Sequence, residues 1–216
     1  MAGRIRVGIG GWVYEPWRDN FYPAGLRQKD ELAYVGQHLT ATEINATYYS
    51  SQKPATFANW ARAVPDGFRF AVKASRYCTN RKQLAQAAES IAKFTGQGIA
   101  ELGDRLGPIL WQFMPTKRFD PDDFGAFLTL LPGSVDGVPL RHALEVRHES
   151  FDDPAFLDMA REAGVAVVLA DHPDYPAIRG HDVGFSYMRL MQAQADEPTG
   201  YAADAIGRWT QQAREQ

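Results

Sequence analysis

The sequence predicts an α/β protein, a TIM-like (β/α) barrel with seven strands visible and no eighth strand at the C-terminus. Three observations predict it. Seven short apolar runs each stop on a polar, charged or glycine residue. Helical segments separate most of them, and a helix between successive strands demands parallel pairing with right-handed crossovers. The polar run ends are spread over nearly all strands. A doubly wound sheet gathers its site at one switch point, whereas a barrel draws it from many strands around one rim.

The runs cover residues 5–10, 40–45, 68–73, 107–112, 141–147, 165–171 and 184–189, and six carry Glu43, Lys73, Gln112, Glu145, Asp171 or Arg189 at or near the end. After the first comes an aromatic loop, 12–22, then a helix over 29–38 with Leu32 and Val35 on one face. A loop through Tyr48 and Tyr49 follows the second. The helix over 54–63 then starts at Pro54, whose missing N–H would be unpaired there anyway. Pro65, Asp66 and Gly67 stop the chain before the third run. A loop over 75–80 leads into a long helical stretch, 82–102, broken near Gly96 and Gly98. The fourth run precedes Pro115 and a helix over 122–131, and the fifth a helix opening at Asp153 and Pro154. The sixth meets a Pro-rich loop, 172–182. A last helix fits 202–213, with Ile206 and Trp209 available to pack.

A barrel needs eight strands and typically roughly 250 residues. Only 27 residues follow Arg189, and none reads as a strand. The expectation is one domain, 1–216, either cut short or open beside its first strand. A homodimer or the last helix would cover an edge that otherwise invites aggregation.

Composition narrows the function classes. The net charge is −3 with both signs interspersed, so no basic block suggests bulk nucleic-acid or anionic-membrane binding. Cys78 is the only cysteine, which rules out an intramolecular disulfide and makes a reduced, cytoplasmic setting the expectation. It reads as a plain loop cysteine. No signal pattern opens the chain, and the longest apolar runs, near Ile109 and Val165, are far too short for a bilayer.

Side chains alternate across a strand, so Glu43 and Asn45 share a face, as do Glu145 and Arg147. If Lys73, Gln112, Asp171 and Arg189 also point inward, the mouth holds a ring of three acids, three bases and two amides. Ionised groups so buried must be paired with one another or with a ligand. Lys73, Arg147 and Arg189 suit a phosphate or carboxylate, and Glu43, Glu145 or Asp171 suits a general base. Lys73 alternatively suits a Schiff base or a salt bridge to Glu43 or Asp171. Trp12 and Tyr48, near strand ends, are the aromatic candidates for stacking on a sugar ring or base. Gly8, Gly10 and Gly11 lack the dinucleotide pattern, because Val13 stands where a glycine is needed. They would let the first strand approach a ligand or turn sharply. No cofactor is expected. Joined by His148 or His172, the acids would suit Mg or Mn, but three cations repel a divalent ion and no tight ligand motif is present. His148 has the opposite strand parity to Arg147.

The same residues resemble the YecE-like family, domain of unknown function 72. The matching pieces begin with Gly8 to Trp12, Trp17, Phe21-Tyr22-Pro23 and Glu43 to Tyr49. Trp60, Pro65, Phe68 to Lys73 and Gly107 to Phe113 follow, then Glu145 to His148 and Tyr187 to Leu190. The resemblance implies a TIM-barrel-like fold and no settled activity, with loose similarity to sugar isomerase barrels. Against the family pattern, this chain has Asn80 where members usually have histidine, and Met191-Gln192 in place of His-Gly. It also ends before the aromatic-Asn motif of a last strand.

The expected function is therefore acid/base chemistry of the isomerase or lyase type on a small polar, anionic or sugar-like substrate. Glu43, Lys73 and Glu145 would be catalytic. Trp12, Asn45, Tyr48, Gln112, Arg147, Asp171 and Arg189 would bind substrate. A non-catalytic metabolite-binding module is the alternative. A metal-dependent nuclease or repair-type barrel is a lesser one, since the acidic balance argues against a nucleic-acid partner.

Overall fold

The apolar runs do form strands, but not as seven continuous ones. The computed structural model describes residues 3–179 and 183–215. In it β1 (Gly8–Gly10), β2 (Ala41–Ile44), β3 (Arg69–Lys73) and β4 (Leu106–Gln112) lie side by side. A small antiparallel hairpin follows, β5 (Ser134–Val135) and β6 (Val138–Pro139), turning at Asp136 and Gly137, both with positive φ. Then β7 (His142–Glu145) and β8 (Ala166–Val167) complete a parallel six-stranded sheet of order β1-β2-β3-β4-β7-β8. The sixth run breaks at Val168 and continues as β9 (Leu169–Asp171), which pairs in parallel with β10 (Met188–Leu190) instead. No ladder joins β10 to β1 among the described residues. Of the expected Pro-rich loop, residues 180–182 lie outside the described residues.

Helices form where the sequence supplies starts and one apolar stripe. α1 (Glu31–His38) buries Leu32 and Val35. α2 (Ala46–Tyr49) turns the expected loop after β2 into a single helical turn. α3 (Pro54–Ala63) has its proline in the first turn, as expected. α4 (Arg76–Thr79) likewise replaces a loop and buries Cys78 completely, so the cysteine is a core residue with its thiol pushed up to about 12 by burial. The long helix expected over 82–102 is in pieces: a 3-10 turn, α5 (Ala88–Thr95), then another 3-10 segment over Ile99–Arg105. The break at Gly98 has a packing reason. It sits at φ +105, and a Cβ there would lie 2.7 Å from Pro54 of α3. α6 (Pro121–Thr129) and α7 (Pro154–Glu162) each open on an aspartate, Asp120 and Asp153, accepting hydrogen bonds from helix-start amides. α8 (Ala203–Glu215) buries no residue.

Strand parity sorts the core into two layers. Phe70, Val72, Ile109, Trp111, Leu144 and Val167 face the helices in the main apolar core. Leu110, Ala143, Ala166 and Val168 face the other way and pack against Val183, Phe185 and Tyr187. This second surface, the inner face, carries the charges. None of the helices is long and apolar enough to cross a membrane among the described residues.

Candidate functional site

Glu43, Lys73, Gln112 and Glu145 stand at the C-terminal ends of β2, β3, β4 and β7, all on the inner face. Their convergence is tightest at Arg189 of β10. Its Nη1 lies 3.0 Å from Glu43 Oε2 and 2.9 Å from Glu145 Oε2. β2 and β7 are three strand spacings apart in the sheet order, about 14 Å if the sheet were flat. One guanidinium nitrogen touching both carboxylates requires the sheet to curl around its inner face.

Around this bridge the contacts are dense. Tyr187 donates its hydroxyl to Glu43 Oε2 at 2.8 Å. Arg147 Nε donates to Glu145 Oε1 at 2.7 Å, and its Nη2 to Gln112 Oε1 at 2.8 Å. The other face of the Arg147 guanidinium covers the Tyr175 ring, 4.8 Å from its centroid, and Tyr175 stacks on His172. Glu145 is fully buried and Glu43 nearly so. Burial pushes the Tyr187 phenol well above its ordinary pKa, and the Glu43 charge adds to that. Arg189 moves the other way from what burial alone would give: Glu43 and Glu145 outweigh desolvation and hold its pKa above the ordinary value.

Lys73 differs from the arginines. No carboxylate lies within ion-pair distance of its ammonium among the described residues, and its Nζ sits 4.9 Å over the Tyr48 ring. Burial, the largest influence, lowers its pKa; Glu43 and Glu145 oppose that, while Arg189 and Arg147 reinforce it. Tyr48 is fixed by Asn80, whose Nδ2 donates to its hydroxyl at 3.0 Å. Asn45 lies beside the β1 turn, its Nδ2 3.4 Å from where a Gly11 Cβ would be, and its Oδ1 is buried without a hydrogen-bond partner.

Two expected site residues, Asp171 of the ring and the aromatic Trp12, are elsewhere. Asp171 accepts from Gln192 Nε2 at 2.6 Å and from Tyr201 Oη at 2.8 Å, in a separate cavity of about 480 Å³ that includes Arg179, Arg208 and Trp209. The reason is parity. Ala166 and Val168 lie on the inner face, and Ala170 pairs with Arg189, so Asp171 falls on the opposite side. Trp12 packs edge-on against Trp60 and Phe70 on the main core. Glycines 8 and 11 serve the backbone: a Cβ on Gly8 would lie 2.4 Å from the carbonyl oxygen of Ala41, and Gly11 turns at φ +94. His148 faces away, bonding Ser150 and Arg118. Sequence reasoning missed Tyr187 and Tyr175 as members of the site. Tyr187 was legible, since it stands two residues before Arg189 and shares its face. Among the described residues no three His, Cys, Asp or Glu side chains are grouped to share a metal ion.

The sequence profile described as "Protein of unknown function DUF72" matches residues 6–216. The chain belongs to the DUF72 family. UPF0759 protein YunF of Bacillus subtilis (strain 168) is 24% identical over 159 residues, which make up 71% of this chain and 54% of YunF. The chain thus spans about half the length of that curated relative. A DUF72 family protein of Thermotoga maritima MSB8 has a similar structure, with a TM-score of 0.73 and 22% identity, over 97% of this chain and 86% of that one. A second DUF72 structure, from Enterococcus faecalis V583, matches with a TM-score of 0.64 and 22% identity, over 81% of this chain and 66% of that one. At these identities the likeness is one of fold. Two departures from the family pattern have structural partners here: Asn80 holds Tyr48, and Gln192 holds Asp171.

Proposed function

We propose that the charged cluster is the binding site for a small anionic or sugar-like substrate, at the mouth of a (β/α)-barrel wall formed by the curled sheet. One observation carries the reading. The inner face gathers two carboxylates, Glu43 and Glu145, against three cations, Lys73, Arg147 and Arg189, a formal surplus of one positive charge. Cations left in excess at a partly buried site are stabilised by an anion. The orphaned Asn45 Oδ1 is an acceptor available to a hydroxyl.

Acid/base chemistry of the isomerase or lyase type fits this set, with a change of roles. Glu43 and Glu145 are each held by arginine, so their oxygens are engaged before a substrate arrives. Lys73, a cation with no carboxylate partner among the described residues and with its pKa lowered by burial, is the group suited to give its proton to a substrate oxygen and then, as the amine, to take one back. Arg147 and Arg189 would stabilise negative charge developing on an enolate or enediolate. The arginine-held carboxylates also favour the second reading, a metabolite-binding module without turnover.

Thermal denaturation with a panel of aldose phosphates, ketose phosphates and 2-hydroxy acids tests binding, and solvent deuterium uptake into a bound compound tests catalysis. The expected result is stabilisation that Arg147→Gln abolishes, with deuterium uptake that Lys73→Met abolishes. Binding without uptake selects the binding module. If no compound binds, or binding is indifferent to Arg147→Gln, the reading fails.

A further inference from the structure

The inner face ends in charge at its other rim as well. Arg69 opens β3, Arg141 immediately precedes β7, and Arg6 precedes β1 with the same alternation as Gly8 and Gly10. Strand parity puts all three on the face that carries Lys73 and Glu145 at the opposite end. Arg6 Nη1 donates to the carbonyl of Gly67, and Arg69 Nη1 to the next carbonyl, Phe68, at 3.2 Å. Arg4 is at the same place, with Nη1 3.7 Å from where a Gly67 Cβ would be. The Arg141 guanidinium lies over the inner-face ring of Phe185, 5.3 Å from its centroid.

Among the described residues these arginines therefore have carbonyls and a ring for partners, but no carboxylate. Among the described residues none of the four makes an ion pair. A guanidinium has five N–H donors, and one carbonyl each leaves most of them unspent on Arg6 and Arg69. The cluster is also self-repelling. Burial lowers the pKa of Arg6, and Arg69, Arg4 and Arg141 lower it further; Arg141 is lowered by burial and then by Arg69. Charges at this rim of a barrel usually serve stability. Four like charges that make no ion pair among the described residues do the reverse.

We propose that Arg4, Arg6, Arg69 and Arg141 form a second anion site, at the N-terminal ends of β1, β3 and β7, that takes a compact multivalent oxyanion such as a phosphate group. Arginine matches it because two parallel N–H groups fit two oxygens of one phosphate. The site is independent of the mouth, since its residues lie at the opposite ends of the same strands.

Isothermal titration of the full chain with inorganic phosphate, at constant ionic strength in chloride, tests it. The expected result is saturable binding that weakens at least tenfold in Arg69→Gln and in Arg141→Gln and survives Arg147→Gln at the mouth. Melting of the same variants without phosphate separates a ligand site from a structural one. Removing one of four repelling charges leaves the melting temperature unchanged or raises it, whereas a structural role lowers it. Vesicles carrying phosphatidic acid identify the source: retention that Arg69→Gln abolishes assigns a lipid headgroup, and binding of free phosphate without retention assigns a soluble one. Absence of saturable phosphate binding, binding indifferent to Arg69→Gln and Arg141→Gln, or binding lost in Arg147→Gln overturns the proposal.

Discussion

Arg189 is the residue on which the mouth depends. One nitrogen compensates two carboxylates that come from strands far apart in the sheet order. Replacing it with methionine keeps much of its volume and leaves Glu43 and Glu145 buried with less compensation. Breaking a buried pair in this way costs about 3–5 kcal/mol. We expect Arg189→Met to lower the urea midpoint accordingly, and a loss under about 1 kcal/mol would show that the bridge is not buried in solution. Alternation put Glu145 and Arg147 on one face, and position at the strand ends made Glu43, Lys73, Gln112 and Arg189 candidates to join them; that much was legible in the residues. Asp171 was not, because nothing in the apolar run that precedes it says which parity faces inward, and Asp171 falls on the other side from Ala166, Val168 and Ala170. Trp12 was misread because an aromatic beside a strand end looks the same whether it packs or binds.

At the scale of elements, glycine and turn chemistry carried more than the reading took from them. Asp136 and Gly137 are a hairpin turn signal, and β5 and β6 do pair across them. Gly8 and Gly107 stand where strands meet most closely: a Cβ would lie 2.4 Å from the Ala41 oxygen or 2.7 Å from the Phe70 oxygen. Both obstacles are backbone, so neither can step aside as a side chain would. Gly107→Ala, between two paired neighbours, should cost about 1–3 kcal/mol, measured by chemical denaturation. Gly8→Ala should cost less, since β1 is an edge that can shift. Equal costs would show that the edge strand is as firmly held as the interior. The stretch expected over 82–102 does break at Gly96 and Gly98, and the structure adds the tertiary reason, the approach of Gly98 to Pro54, which periodicity cannot foresee.

For the whole molecule, acid sensitivity should follow His142. It is buried behind the sheet, with Nδ1 accepting from Trp111 Nε1 at 3.1 Å and Nε2 2.9 Å from the carbonyl of Pro132. Burial is the larger influence and holds its pKa below 6.5, against the pull of the Pro132 carbonyl. The folded chain thus binds fewer protons here than the unfolded one. The contribution is complete above about pH 6.5 and is lost as pH falls from there through the folded value. We expect His142→Gln to flatten the dependence of the urea midpoint on pH between about 7.5 and 5.5. An unchanged slope would place the acid sensitivity elsewhere.

The junction at Val168 makes the final stretch of chain a fastening as well as a neighbour. Among the described residues the stretch from Tyr187 onward is held by one short ladder, β9 with β10, in a sheet separate from the larger one, yet it delivers the cation that keeps two opposed acids at peace. If that stretch peels away, Glu43 and Glu145 lose their shared counter-ion together. Seating of the last strand and readiness of the cavity are thus one equilibrium.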